Sequence, residues 1–240
     1  MPERQTSQSI TSTLSRQIFA GRLQPGEKLP PLRSLAEMMQ TDTASLRIAL
    51  KQLEAMNVID VKRSNGAYVK DYMKHAGLDF LSSLFMGEDK GREVVVDEYI
   101  VDEAWEFWVL LFPEVYRLAL NKFTPRDIKR MLDIMDAQLE SRADREKVMD
   151  LEIENQDVMV AIADNIIITL LFNMTRVLRK KMVRFFIINM EDGELEAYIG
   201  FKKEMTRKLM TAPQEKLARS PEWLREELHR QRLLLRSKMF

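Results

Sequence analysis

The sequence predicts a mainly α protein: a small winged helix-turn-helix followed by an all-helical antiparallel bundle. Three observations predict it. Two short segments, 32–39 and 46–53, repeat apolar residues at helical spacing and meet across a tight turn. Two β-prone runs, Val58–Val61 and Ala67–Val69, flank "KRSNG", whose Asn65-Gly66 pair is a strong hairpin signal. From Leu78 onward the pattern is long and helical, with no convincing strand.

Each element follows in order. In "TSQSITSTLSRQIFAGRL" Ile10, Leu14 and Ile18 form one stripe, and Gly21 is the expected stop. "QPGEKLPP" holds a Pro25-Gly26 turn, and Pro30-Pro31 delays the next helix until Pro31 can enter a first turn. The second helix carries Leu32, Leu35, Ala36 and Met39 inward. Thr41 or Asp42 is placed to cap the third by accepting a backbone N–H. In that helix Leu46, Ala49, Leu50 and Leu53 are the expected core stripe. Beyond the hairpin, helices are expected over 78–86, 93–122, 125–140, 144–163, 165–190, 193–211 and 221–238, with Pro113 kinking or breaking the second. The domain boundary is set in "KDYMKHAGL", giving 1–73 for the winged domain and 74–240 for the bundle.

Composition narrows the function classes. The chain has 240 residues, no Cys and 45% apolar residues, so disulfides and thiolate metal sites are excluded and a globular core is affordable. "MPERQTSQS" lacks the apolar core of a signal peptide, and no apolar run is long enough for a bilayer; a cytoplasmic, non-membrane protein is expected. The overall charge is zero but unevenly spread. Residues 1–74 carry 11 Lys and Arg against 7 acids, and the remainder 26 against 30. A basic head on an acidic body suggests a polyanion contact at the N-terminal end.

With the apolar stripe turned inward, Thr43, Arg47 and Lys51 are neighbours on an outward face, with Ala44, Ser45 and Ile48 beside them. An α-helix fits the major groove, so this face is expected to meet double-stranded DNA. Arg47 suits a bidentate contact to guanine or a phosphate clamp, and Thr43 and Ser45 suit bases or phosphates. Lys51 suits phosphate, and the helix N-terminus adds backbone N–H groups. Lys62, Arg63, Asn65 and Gly66 at the hairpin tip are placed for the adjacent backbone or minor groove.

Residues 21–69, "GRLQPGEKLPPLRSLAEMMQTDTASLRIALKQLEAMNVIDVKRSNGAYV", resemble the DNA-binding domain of GntR-type regulators. Gly21, Leu23, Pro25, Gly26, Leu29, Pro30, Arg33, Leu35, Ala36, Arg47, Ala49, Leu50, Leu53 and Gly66 carry the likeness. It implies that Arg33, Arg47, residues 43–45 and the wing tip contact DNA. Thr43 stands where that family commonly has Arg, Gln40 where Gly is common and Ile48 where Glu is common, so an unusual operator preference is expected. For Arg33 alone, an ion pair with Glu37 is the competing reading.

The remainder is similar to the FadR-type C-terminal domain, through "EVYRLALNKFTPRDIKRML" (114–132) and "DLEIENQDVMVAIADN" (150–165). That resemblance implies a homodimeric transcription regulator, by default a repressor on a pseudo-palindromic operator, modulated by an effector. Many such domains hold a divalent metal on one Asp and three His. Here Glu152 and Gln156 fall at two of those positions, Lys202 near a third, and His229 uncertainly near the last, so no metal or other cofactor is expected. A Glu152–Lys202 pair is the expected replacement. Trp108 occupies the place of an effector-binding Arg. The effector pocket is assigned to Trp108, Glu152, Gln156, Asn165 and Lys202, for a small apolar or amphipathic molecule. A ligand-independent DNA-binding protein with a degenerate pocket is the alternative.

"RVLRKKMVR" (176–184) is expected to be paired with acidic helices or solvated. An enzyme is not expected. Glu103, Glu106 and Glu152 supply carboxylates, but no nucleophile–base pair or phosphate-binding Gly loop stands at telling spacing.

Overall fold

The computed structural model describes residues 6–84, 98–212 and 217–239. They divide into two compact units, one within residues 1–94 and the other within 95–240.

The first unit begins with α1 (Ser7–Phe19), capped by the Thr6 hydroxyl, which accepts from Ser9 N at 3.2 Å. Ile10, Leu14 and Ile18 are buried, as the stripe predicts. The helix closes as expected at Gly21, whose φ of +67° lies in the left-handed region that favours a residue without Cβ. Arg22 N donates to Gln17 O at 2.9 Å and Gly21 N to Ile18 O at 3.1 Å, the two bonds of a Schellman closure. The following stretch does more than turn. Gly26 N donates to Val69 O, Val69 N to Glu27 O and Leu29 N to Ala67 O, so residues 26–29 lie along the hairpin.

Helices α2 (Leu32–Met38) and α3 (Thr43–Ala55) form the helix-turn-helix. The turn needs Gln40 at φ +51°, a left-handed conformation strained for a side chain. Leu46, Ala49 and Leu53 are fully buried, each leucine contributing on the order of 1.5–3 kcal/mol. Leu50 is only half-buried. Strands β1 (Ile59–Lys62) and β2 (Gly66–Val69) pair antiparallel with Lys62 opposite Gly66. The connection is therefore the three residues 63–65, with Ser64 at φ +63° and Gly66 at φ +100° opening β2.

Two short helices follow, α4 (Tyr72–His75) and α5 (Leu78–Leu84). The Tyr72 ring stands 5.6 Å from Phe19 and 5.2 Å from Phe80. Ser83 donates to Ser15 Oγ, and Arg16 Nε donates to the terminal Leu84 carbonyl at 3.1 Å. Residues 74–84, grouped with the bundle from sequence, thus pack on α1. Periodicity shows that a helix forms but not which core receives it. The expected helix ends at 85–86 and 93–97 lie outside the described residues, as do 213 and 214 of the expected "TAPQ" break.

The second unit comprises α6 (Glu98–Ala119), α7 (Pro125–Glu140), α8 (Arg145–Ala163), α9 (Ile166–Met174), α10 (Arg176–Ile188), α11 (Asp192–Thr211) and α12 (Ser220–Met239). Helix α7 starts with the capping box of Thr124 and Asp127, and Pro125 sits in its first turn. The four-residue link 141–144 returns α8 along α7, α11 packs on α7, and α12 packs on α6. Trp105, Val115, Met135, Ile153, Phe186, Ile187, Leu195 and Ile199 are among the core. Arg232 on α12 grips Asp102 on α6 with two bonds of 2.8 and 2.9 Å, and Glu106 with a third.

Two boundaries differ from expectation. Pro113 does not break the helix: α6 runs from Glu98 to Ala119 through it. The buried Val109, Val115, Tyr116 and Ala119 on either side offset the lost hydrogen bond, a penalty of about 3 kcal/mol. Conversely, 165–190 is two helices, divided at Thr175. Its hydroxyl donates back to Leu171 O at 2.8 Å, and the Arg179 guanidinium takes Phe172 O at 3.1 Å. Leu171 O keeps its helical bond from Thr175 N at 3.0 Å as well, whereas the Arg179 side chain serves a Phe172 carbonyl that a continuous helix would have bonded internally.

Candidate nucleic-acid interface and effector cavity

The outward face of α3 is built by subtraction. At about 100° per residue, the direction facing away from Leu46, Ala49 and Leu53 runs between Ala44 and Lys51. Arg47 and Ile48 stand on its two shoulders, and Thr43 lies beyond Arg47. All five are exposed, as is Arg33 on α2. Among the described residues no ion pair or hydrogen bond reaches Arg33, Arg47, Lys51 or Arg63, so the Arg33–Glu37 pair weighed above does not form.

Asp42 is the cap of α3. Its carboxylate accepts from Ala44 N and Ser45 N at 2.9 and 2.8 Å, and from the Ser45 hydroxyl at 2.9 Å. These bonds, the backbone N–H of Ser45 first, hold its carboxyl below the usual range. Ser45 is thus half-buried and donates to Asp42, and the Ala44 and Ser45 N–H groups, which the sequence reading offered to phosphate, are taken by that carboxylate.

The wing tip is organised by residues that the sequence reading missed. Asn65 Oδ1 accepts from Lys28 Nζ at 3.3 Å and from the Tyr68 hydroxyl at 3.1 Å. That leaves the Asn65 amide N–H groups outward as donors. Lys62 Nζ stands 4.9 Å from the Tyr68 ring centre, and Lys28 Nζ 5.7 Å from it. Gly66 admits the Lys28 stem, since a Cβ there would meet Lys28 Cε at 3.0 Å. The available signal was the alternation in "GEKLP": Leu29 turns inward, so Lys28 turns out.

The second unit holds a partly open cavity of about 90 Å³, lined by aromatic and Met side chains around Glu152. Trp108 stacks on Phe112 at 4.5 Å and leans on Phe172. Glu152 is buried. Lys202 Nζ donates to its Oε2, joined by Gln138 Nε2 at 3.0 Å, and Tyr198 Oη donates to Oε1 at 3.0 Å. Burial by itself would raise the Glu152 carboxyl, but the Lys202 charge and these hydrogen bonds prevail and hold it below the usual range. Burial, then the Glu152 charge, push the Tyr198 phenol well above its ordinary value.

Trp108, Glu152, Gln156 and Lys202 therefore meet at one cavity, as the sequence grouping requires. Asn165 does not. It is exposed and caps α9, accepting from Ile167 N and Ile168 N at 3.0 and 3.1 Å. An Asn before an apolar helix reads equally well as pocket or cap, and only the fold separates them. His229 and His75 are exposed. The cavity residues do not fit a divalent cation: both Glu152 oxygens are committed, and an ammonium occupies one of them. No group of three or more His, Asp or Glu disposed to hold a metal occurs among the described residues. Trp105 Nε1, Asn155 Oδ1 and Gln231 Oε1, on residues lining the cavity, are buried without hydrogen-bond partners among the described residues.

Four of the five cations in the run 176–184 are paired. Arg176 and Arg179 bond Asp157, Lys180 bonds Asp150 at 2.9 Å, and Arg184 bonds Glu146 at 2.9 Å, all across to α8.

Residues 6–69 match the family described as "Bacterial regulatory proteins, gntR family". The chain carries a GntR-family helix-turn-helix domain. Its relatives include Mce2R of Mycobacterium tuberculosis, an HTH-type transcriptional regulator 29% identical over 134 residues, 56% of this chain and 54% of that protein. The galactonate operon transcriptional repressor of Escherichia coli is 23% identical over 158 residues, covering 65% and 66%. The chain spans about half the length of curated relatives such as Mce2R. In fold, it is similar to Lar, whose structure is described as that of a protein controlling the Listeria monocytogenes agr system. The TM-score is 0.58 at 16% identity, over 97% of this chain and 99% of that one. The winged domain followed by an all-helical unit is thus a fold that the chain shares with that solved structure. No helix among the described residues is long and apolar enough to cross a membrane.

Proposed function

We propose that the protein is a sequence-specific transcription regulator acting as a homodimer on a pseudo-palindromic duplex operator in the cytoplasm. Repression is its sign of action, and a small apolar or amphipathic effector in the Glu152 cavity sets its operator affinity. The observation that carries the reading is the exposed basic set of Arg33, Arg47, Lys51 and Arg63 around α3 and the wing, unpaired among the described residues. Unpaired guanidinium groups on a groove-sized helix are free to neutralise phosphates and read guanine edges, and each neutralised phosphate releases counterions. Effector control is supported by the orphaned polar atoms of Trp105, Asn155 and Gln231, which a ligand could pair. An effector acts by binding one arrangement of the two DNA heads more tightly than the other.

The test is a gel shift against DNA upstream of the gene, at several salt concentrations. Wild type is expected to bind with a steep inverse salt dependence. Arg33→Ala with Arg47→Ala is expected to lose on the order of 100-fold in affinity and to flatten the salt slope by about two. Unchanged affinity in the double variant would sink the reading. The ligand-independent alternative is favoured by the Glu152–Lys202 pair, which already fills the polar end of the cavity. A thermal-shift screen decides between them, since a ligand that binds the native state raises the melting temperature with its concentration.

A further inference from the structure

The DNA-facing surface of α3 is not uniformly polar. Ile48 is 52% exposed, the largest apolar side chain on that face, and Ala44 lies one turn before it and is also exposed. Lys51, three residues on, and Arg47 line one side of this apolar strip. A single exposed isoleucine elsewhere on a protein needs no explanation. Here its position gives it one. The direction exactly away from the core runs between Ala44 and Lys51, so whatever α3 enters meets Ala44 and Ile48 together with the cations. Arg47 and Lys51 can answer phosphates and guanine edges. The methyl groups of Ile48 and Ala44 can answer neither. The apolar feature that a major groove presents is the C5-methyl of a pyrimidine, which distinguishes thymine from cytosine.

We propose that Ile48, assisted by Ala44, is a specificity-determining residue that packs on a pyrimidine C5-methyl group in the major groove of the bound half-site. The assignment rests on the DNA-binding reading above and adds the base chemistry it selects. The pairing is favourable because two apolar surfaces leave water together, and it makes no demand on hydrogen-bond geometry. Cytosine at that position would leave the isoleucine against a bare C5–H and lose the methyl contact. Thymine and 5-methylcytosine present the same group, so either base is a possible source of it.

The experiment uses the full-length protein and a randomised duplex library of about 30 base pairs, roughly three helical turns. Wild type and Ile48→Ala are each taken through selection, and the wild-type site is then scanned base by base, replacing thymine by uracil and cytosine by 5-methylcytosine. Wild type is expected to lose about fourfold in affinity when one particular thymine becomes uracil, the effect of one buried methyl. Ile48→Ala is expected to be indifferent to that change and to select no base preference there. If instead a cytosine position gains affinity on methylation in wild type but not in Ile48→Ala, the methyl source is 5-methylcytosine. A selected site that tolerates every uracil and every methylated cytosine equally in both proteins overturns the assignment while leaving DNA binding intact. Failure of wild type to enrich any duplex overturns both.

Discussion

Two basic helices of this chain look alike in sequence and have opposite fates. Around α3, Arg33, Arg47, Lys51 and Arg63 stand exposed with no partner among the described residues. On α10, Arg176, Arg179, Lys180 and Arg184 face α8 and are answered by Asp157, Asp150 and Glu146. The difference lies in the neighbour. Helix α8 brings Glu146, Asp150 and Asp157, four and then seven residues apart, to the surface that α10 covers, whereas α3 faces away from its own domain. Arg179 alone of these cations is buried, and a buried cation must be paired, because stripping its water is costly. A cation left unpaired on the outside is available to a polyanion.

The comparison is broken most directly at Arg179. It is nearly inaccessible and donates to Gln156, Asp157 and the Phe172 carbonyl. Arg179→Met is expected to cost about 3–5 kcal/mol, read from urea unfolding, with operator affinity per folded molecule unchanged. A variant as stable as wild type would remove Arg179 from the framework.

Lys202 tests the same rule at the cavity. Lys202→Met alone leaves a buried carboxylate and is expected to cost roughly 3 kcal/mol, while adding Glu152→Leu should restore most of it. The pH dependence has a definite sign. Because the folded Glu152 pKa lies below its ordinary value, its stabilisation is present above the ordinary carboxylate range and is lost as pH falls through the depressed value. Lys202→Met should move that loss to higher pH in acid-unfolding curves. Superimposable curves would count against the pair.

On the other side of the comparison, Arg33→Ala with Arg47→Ala should change stability by less than about 0.5 kcal/mol, even though DNA binding falls steeply. Calorimetry beside the gel shift separates the two readouts. The smallest effect is expected at Arg184. Its pair with Glu146 is half-exposed on both sides, so Arg184→Ala should cost no more than about 0.5 kcal/mol and leave affinity for DNA untouched.

Much of the site was legible because local chemistry announces itself. The stripes at Ile10–Ile18 and Leu46–Leu53, the Gly21 stop and the Asp42 cap follow from 3.6-residue periodicity and from backbone groups that need a partner. The outward position of Arg47 and Lys51 follows from the same stripe. What stayed hidden involves residues whose role depends on a distant segment. Lys28 joins the wing only because residues 26–29 pair with β2. Ser45 turns to Asp42 rather than outward. Asn165 caps α9 instead of facing the cavity, and Leu78–Leu84 chooses the α1 core.

By itself, then, the order of residues determined which segments are helical, where they start and stop, and which faces are apolar, since these depend on neighbours a turn or a strand step away. Only the tertiary structure decided which charges are cancelled, which helix receives which core, and that Glu152, Lys202 and Trp108 share one cavity. Those outcomes rest on contacts between residues tens of positions apart, and desolvation, which makes pairing obligatory in one place and unnecessary in another, exists only once the chain has closed around itself.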